Sequence, residues 1–584
     1  MALHKRVLIS NRGEIAIRIA KAASALGMES VGVYAPADAL SLHTRFTTES
    51  HEIAAPGART DPVGAYLDAE ALVRVAEAAG CDCVHPGYGF LAENAPFAER
   101  CASAGLVFIG PSPATLSLFG DKLRARGLAQ SLEIPVVPGS AEALRSSSEA
   151  AARAGDLGYP VMLKASAGGG GRGLRVVENA DQLAEAFERC RSEAEAAFGD
   201  GSVFVEKLIA RPRHIEVQIL ADAHGSVVHL HERDCSVQLR NQKVVEVAPA
   251  PGLDRGLRER ILADAIKLVR AAGYVNAGTV EFLVSPEIGE HFFIECNPRI
   301  QVEHTVTEQV TGIDLVEAQF HVAAGASLES LGLGDQDAVG DPRGFAVQAR
   351  VVAQGAGTIT AYKEPSGAGV RVDACGYLGY SPPPQFDPLL AKLIGSSSSA
   401  SSFASAVGRT LAALAEFHIA GLPTNLPQLR AILSHPGFCA GDARTSFLTE
   451  EPEILGADLS SPPDSDALAL LEQQASAVGV NMGAGASSST GSLLPALELA
   501  DGQQGVECPV AGSVVEVRLR AGDTVAVGDP LLIISAMKME TAVTAPCSGT
   551  VTAVQSVREG DDVVAGQVVA VITPTEGDTR RHTP

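Results

Sequence analysis

Tryptophan is absent from the 584 residues, and aromatic side chains make up only 4% of them. Cores must therefore be filled by Ala, Val, Leu and Ile, which an apolar content of 46% permits. No run of about 18 apolar residues occurs, so no membrane-spanning helix is expected. The start, Met1–Ala2–Leu3–His4–Lys5–Arg6–Val7, lacks a signal-peptide apolar region. Basic residues are in short supply: 45 Lys and Arg against 69 Asp and Glu leave a net charge of −24. With no basic block, nucleic acid and anionic lipid are not expected partners. The ten cysteines are scattered, and Cys81 and Cys83 lack zinc-ligand spacing. Reduced thiols in a cytoplasmic protein are expected.

The length calls for roughly three to five domains. Residues 5–34 read strand, helix, strand, with Ile15, Ile19, Ala22, Ala23 and Leu26 at helical spacing. A helix over 66–79 and a strand near Asp82–Val84 continue the alternation, which predicts a parallel sheet covered by helices. A second α/β region starts near Gly120, with strands at 159–164, 203–207, 215–220, 226–231, 278–284 and 291–296. A third, 340–450, has shorter strands and a helix near 403–416. Between Arg444 and Arg518 there is no Lys or Arg but 11 Asp or Glu, and the stretch contains Gly483–Ala484–Gly485–Ala486–Ser487–Ser488–Ser489. Residues 451–504 are therefore expected to form a flexible acidic tether, with at most a frayed helix near 466–478.

The segment 505–574 repeats itself. Pro509, Gly512 and Val517 recur 37 residues later as Pro546, Gly549 and Val554. Gly522–Asp523 and Gly528 recur 38 residues later as Gly560–Asp561 and Gly566. Two copies of one β unit predict a small quasi-symmetric sandwich. Lys538, in Ala536–Met537–Lys538–Met539, lies between the copies, where a hairpin would project it from the core.

Two other stretches carry chemistry. Lys164 ends an apolar strand and precedes Gly168, Gly169, Gly170 and Gly171, whose backbone can wrap phosphate oxygens without Cβ clashes. The Gly-Lys-Ser/Thr ending of a Walker loop is missing. Lys122 and Lys164 are candidates to neutralise phosphate. Folding the hairpin 279–297 puts Glu281 opposite Glu295, with Asn297 on the same face. Such an oxygen-donor set suits Mg²⁺. In Asn297–Pro298–Arg299–Ile300–Gln301–Val302–Glu303, an extended backbone would aim Arg299, Gln301 and Glu303 one way. An Arg fork suits a planar oxyanion such as bicarbonate, and a neighbouring carboxylate can take its proton.

Residues 536–539 and their flanking repeats resemble the biotinyl/lipoyl carrier domain, in its biotin form. Residues 5–450 resemble the biotin carboxylase component of biotin-dependent carboxylases, an ATP-grasp fold. The matching motifs are SNRGEIAIRI (10–19), HPGYGFLAEN (85–94), GDK (120–122), KASAGGGGRG (164–173), RHIEVQIL (213–220), HERDCSVQLRNQKVVE (231–246) and ECNPRIQVEHTVTE (295–308). Together the chain resembles the α subunit of an acyl-CoA carboxylase of the acetyl-/propionyl-CoA type. A pyruvate- or urea-type carboxylase, or a biotinylated carrier whose ATP site has decayed, is the alternative.

The resemblance implies an α/β architecture: an N-terminal pre-ATP-grasp domain (1–118), an ATP-grasp domain (119–325), a biotin carboxylase C-terminal domain (340–450), the linker, and an all-β biotinyl domain. It implies ATP contacts by Lys122, Lys164, Gly168 to Gly171, Glu206, Lys207, His214, Gln238, Glu281 and Glu295, with Glu206 and Lys207 at the adenine. Two Mg²⁺, or Mn²⁺, would be held by Glu281, Glu295 and Asn297. Bicarbonate would lie on Lys243, Arg299, Gln301 and the backbone of Val302, with Glu303 as general base. Tyr88 and Arg350 would contact biotin, Arg350 stabilising its enolate oxygen, and biotin would be joined to Lys538. Implied partners are bicarbonate, a carboxyltransferase β subunit, a biotin protein ligase and further copies in a homo- or hetero-oligomer. The sequence departs from the family pattern in a short Val351–Ala356 connection, in Asn241, and in Lys21 and Ala25 on a helix that serves dimer contacts in relatives. A different or weaker dimer is expected there.

Overall fold

The computed structural model describes residues 3–53, 62–140, 142–165, 174–198, 200–397, 403–456, 503–508, 512–536, 539–555, 557–563 and 567–574. Most of the expected tether, the glycine run 168–171 and Lys538 lie outside the described residues. Among the described residues no helix is long and apolar enough to cross a membrane.

The N-terminal region is a five-stranded parallel sheet, ordered Glu49–Glu52, Glu29–Tyr34, Arg6–Ile9, Cys83–His85, Val107–Phe108. The helix Gly13–Ala25 turns Ile15, Ile19, Ala22 and Ala23 onto this sheet, all of them buried. Each buried Ile there contributes about 1.5–3 kcal/mol. The helix expected over 66–79 is two, Pro62–Leu67 and Ala69–Ala78, because Asp68 caps the second by accepting from Ala71 N–H.

A small antiparallel sheet, Leu174–Val177, Val161–Ala165 and Val203–Lys207, packs with the helices Ser147–Leu157 and Ala180–Phe198. The large sheet has eight strands, in the order Glu290–Asn297, Asn276–Ser285, Arg213–Ala221, Val227–Leu239, Gln242–Ala248, Phe345–Val352, Leu389–Ser397, Val370–Ala374. The third region therefore shares this sheet and adds a separate two-stranded pair, Ala361–Lys363 with His418–Ala420. Phe345–Val352 pairs antiparallel with Gln242–Ala248, so one sheet runs on from the second region into the third. Strand Gln242–Ala248 was not among the expected strands, and Val227–Leu239 runs eight residues beyond its expected end. Between these two, Arg240 and Asn241 both take positive φ, 51° and 62°, as a two-residue hairpin turn requires. Asn tolerates that conformation well, which accounts for Asn241 locally.

The C-terminal segment forms two four-stranded sheets, as the repeat predicts. In each copy the first strand pairs with a later strand of its own copy: Gly512–Val517 with Pro530–Ala536, and Gly549–Val554 with Val568–Pro574. The short strands cross over. Thr524–Val525 pairs with the second copy's Gly549–Val554, and Asp562–Val563 pairs with the first copy's Gly512–Val517. The exchange is reciprocal in detail: Gly522 N–H donates to Val551 O, and Gly560 N–H to Val514 O, both at 2.8 Å. Gly522 and Gly560 take φ of 99° and 90°, which a side chain would resist.

Candidate functional site

The hairpin of strands Asn276–Ser285 and Glu290–Asn297 brings Glu281 directly opposite Glu295. Glu281 is nearly buried and accepts from Asn297 Nδ2 (2.8 Å), Gln301 Nε2 (2.7 Å), Lys243 Nζ (3.2 Å) and His214 Nε2 (2.8 Å). Gln238 Nε2 lies 2.9 Å from His214 Nδ1, on the far side of the ring from Glu281. Burial disfavours the His214 cation, but the Glu281 charge outweighs it and raises the pKa above 6.5. Burial also opposes the Glu281 anion; Lys243 and His214 overcome it and hold the carboxyl well below the usual range. Glu295 keeps a quarter of its side chain exposed, with Lys122 Nζ 3.6 Å away. Two carboxylates and an amide, one carboxylate open and the other enclosed, form an oxygen-donor set that fits a hard divalent cation such as Mg²⁺ or Mn²⁺.

Next to this pair lies a second cluster. Lys243 Nζ reaches Glu303 Oε1 (2.6 Å) and Glu216 as well as Glu281. Arg350 Nη2 donates to Glu303 Oε2 (2.9 Å), and its Nε to Glu246. Burial alone would raise the Glu303 pKa; Lys243, Arg350 and Arg233 instead hold it far below the carboxylate range. Glu303 is thus an anion poised between two cations. Cys235, in the same region, is a buried thiol whose pKa burial pushes well up, so it is not a nucleophile here.

The expected extended alternation of 299–303 is only partly present. Val302 and Glu303 form a turn, with Glu303 as the N-cap of helix His304–Thr311 at φ −84° and ψ 4°. Gln301 and Glu303 still converge on Lys243 and Glu281. Arg299 turns to Glu93 (2.6 Å) and to Asn297 Oδ1 (3.0 Å). Pro298, which cannot donate to a sheet ladder, precedes this bend.

Lys164 Nζ lies 2.6 Å from Glu206 Oε2, and Arg126 binds the other oxygen. Lys207 Nζ caps the carbonyls of Gly158 (2.8 Å) and Tyr159 (3.2 Å). Tyr88 sits in the loop after Cys83–His85, anchored by Asn11 Nδ2 donating to Pro86 O and Tyr88 O. Its hydroxyl donates to Glu14. The carbonyl of Val302 accepts from Lys392 at 3.2 Å. Arg18, on the helix Gly13–Ala25, is buried against Glu308 (2.8 Å) and Asp314 (2.6 Å) of its own chain.

Sequence reasoning gave no role to Glu216, Arg233 or Glu246. Arg233 is fully buried and donates to Glu216, Gln218, Thr307, Thr279 and Gln301. His214, Glu216 and Gln218 recur at a period of two, interleaved with the apolar Ile215, Val217 and Ile219, and that signal could have found Glu216. Glu246 escapes it because of a bulge. Register shifts between Asp234–Val247 and Gln238–Lys243 let Lys243 and Glu246 reach one cluster from positions of opposite parity.

Comparison with known proteins matches residues 3–116 to the biotin carboxylase N-terminal domain, 121–331 to the ATP-binding domain of the carbamoyl-phosphate synthase L chain, 348–450 to the biotin carboxylase C-terminal domain, and 504–572 to the biotin-requiring enzyme domain. Pyruvate carboxylase of Aspergillus terreus is 47% identical over 459 residues, 77% of this chain. The chain spans 38% of the length of that curated relative. The biotin carboxylase domain dimer of Hydrogenobacter thermophilus 2-oxoglutarate carboxylase, solved with MgADP, ADP and bicarbonate, is 40% identical with a TM-score of 0.74, covering 78% of this chain and 99% of that one. A single-chain, multi-domain long-chain acyl-CoA carboxylase is 35% identical with a TM-score of 0.67, covering 98% of this chain and 51% of that one. A carboxylase region alike along the whole of a solved biotin carboxylase domain, followed by the carrier sandwich, places this chain in the biotin carboxylase family, in the form fused to a biotinyl domain.

Proposed function

We propose that this chain uses ATP and bicarbonate to carboxylate biotin carried on its own C-terminal domain. The observation that carries this is Glu303, ionised and held between Lys243 and Arg350 beside the Glu281–Glu295 pair. Arg299, Gln301, Lys243 and the backbone at Val302 bind bicarbonate. Glu303 takes its proton, and the freed oxygen attacks the γ-phosphorus. One P–O bond forms as the bond to the β-phosphate oxygen breaks, and ADP leaves. In the structure both cations on Glu303 lower its basicity; bicarbonate drawing Lys243 toward itself restores it.

Glu281, Glu295 and Asn297 would hold Mg²⁺, which supplies charge neutralisation at the phosphates. Lys122, Lys164, His214 and Gln238, with the glycines 168–171, bind the nucleotide, and Glu206 and Lys207 meet its base. Lys164 exchanges its present partner Glu206 for phosphate in doing so. Carboxyphosphate then releases CO₂ and phosphate, phosphate being the base for the ureido proton. Biotin, which Lys538 would carry, would supply the ureido nitrogen that takes up the CO₂. Tyr88 and Arg350 position its ring. Strands Pro530–Ala536 and Met539–Thr544 pair antiparallel with Ala536 opposite Met539, which supports an attachment point at this end of the sheet.

The final acceptor is proposed to be a 2-oxoacid of the pyruvate type, in place of the acyl-CoA first expected, because the 47% identity is to a pyruvate carboxylase. The acyl-CoA reading keeps one observation in its favour: the long-chain acyl-CoA carboxylase match spans carboxylase and carrier together, 98% of this chain. Either acceptor requires a carboxyltransferase, on a β subunit or on further chain. The test of the first half is ADP release with Mg-ATP and free biotin, with and without bicarbonate. Bicarbonate-dependent release is expected; none from folded protein would sink the proposal. Label loaded from bicarbonate and then chased in native cell extract should pass to pyruvate; passage to an acyl-CoA instead would select the second acceptor.

A further inference from the structure

Lys392 is fully buried in strand Leu389–Ser397, beyond the residues given roles above. It lies directly opposite Arg350 across the antiparallel pair, so two cations share one face of the sheet. Like charges so placed repel, and a buried ammonium costs more than an apolar side chain of the same size. Its contacts tell what it holds. Nζ forms an ion pair with Glu14 Oε2 at 2.9 Å and donates to the carbonyl of Val302 at 3.2 Å, with Asp373 Oδ2 at 3.9 Å. Glu14, also buried, accepts from the Tyr88 hydroxyl with its other oxygen. One unbroken chain of polar contacts thus runs Tyr88, Glu14, Lys392, Val302. Val302 leads into the turn that aims Glu303.

We propose that Glu14 and Lys392 are paired positioning residues that fix the Tyr88 biotin contact and the Val302–Glu303 bicarbonate turn relative to each other. Neither touches a reacting atom. The inference rests on the function proposed above. Its content is coupling: disturbing the pair on the biotin side should be felt at bicarbonate, and the reverse.

The test uses the full chain with free biotin. Glu14→Gln keeps the shape of the side chain and removes its charge. It should raise KM for biotin and KM for bicarbonate together, each about fivefold or more, while KM for ATP stays within about twofold. Lys392→Met should lower kcat and raise both KM values, and the double variant should be no worse than Lys392→Met alone. Lys392→Arg, which keeps the charge, should recover part of the loss. A Glu14→Gln enzyme with unchanged bicarbonate KM would overturn the coupling, as would losses that multiply in the double variant. If Lys392→Met fails to unfold cooperatively, Glu14→Gln and Tyr88→Phe still decide, since Tyr88→Phe should also raise the bicarbonate KM. Wild-type chain without bicarbonate-dependent ADP release would remove the underlying function, an outcome separate from altered KM values in active variants.

Discussion

The core of residues 506–572 is built from Val, Ile, Leu, Ala and Cys, and Gln555 is the buried polar side chain among its described residues. Its described charges stay out of that core, and some brace turns: Asp523 accepts from Arg520 N–H, and Asp561 from Arg558 N–H. The carboxylase sheet does the opposite. It encloses Glu216, Arg233, Glu246, Glu303 and Lys392 with almost no exposure. Buried ion pairs of this kind seldom add stability over apolar packing, so their presence marks where chemistry takes precedence. The carrier has only to be a firm mount, and it is packed like one.

Single charges should therefore weigh heavily on the packing of the carboxylase sheet and lightly on that of the carrier. Lys538→Arg should stop label from joining the protein altogether while turnover of free biotin persists; label on that variant would put the attachment elsewhere. Glu303→Gln should cut bicarbonate-dependent ADP release about 10²–10⁴-fold with nucleotide binding kept, measured by steady-state assay and by nucleotide titration. Retained turnover would break the assignment. Arg233→Met should destabilise the carboxylase region by about 3–5 kcal/mol, because Glu216 is left buried without its Arg partner. Ile534→Ala should cost the carrier about 2–5 kcal/mol through a cavity, yet leave ADP release with free biotin unchanged. Denaturant unfolding followed separately in the two regions reads both.

Smaller effects sharpen the contrast. The His214 pKa is raised on folding, so its stabilisation is full below its ordinary value of 6.5 and fades as pH rises through the folded value. The melting-point gap between wild type and His214→Asn should be about 2 °C wider near about pH 6 than near about pH 9. A gap that widens toward alkaline pH would reverse the sign. Asp523→Ala and Asp561→Ala should each cost about 1 kcal/mol and cost it alike, because the two turns are copies. Unequal losses would show that the copies have diverged in energy while matching in geometry.

Sequence pattern carried some of this further than the rest. The carrier was legible because a repeat of small residues dictates its own pairing, and the Glu281–Glu295 apposition followed from hairpin length alone. The helix Phe403–Glu416 followed from periodicity, and the parallel pairing of the N-terminal sheet from strand–helix alternation. The continuous eight-stranded sheet did not, since pairing between Gln242–Ala248 and Phe345–Val352 joins residues about a hundred apart in sequence. Glu246 was hidden by a bulge that breaks the two-residue period. The buried ion pairs of Arg18 with Glu308 and Asp314 were hidden too, because they join residues about three hundred apart in sequence.

The exchanged short strands of the carrier have a consequence for how the chain is made. A ribosome releases the first copy, and then Lys538, before it has built the strands that complete either sheet. Gly512–Val517 must wait for Asp562–Val563, and Thr524–Val525 for Gly549–Val554. Until then the lysine proposed as the attachment point belongs to an unfinished half with open edges. An enzyme that recognises the folded mount, and not the short peptide around the lysine, would be barred from nascent chains and would act only once the last strand, Val568–Pro574, has closed the lock.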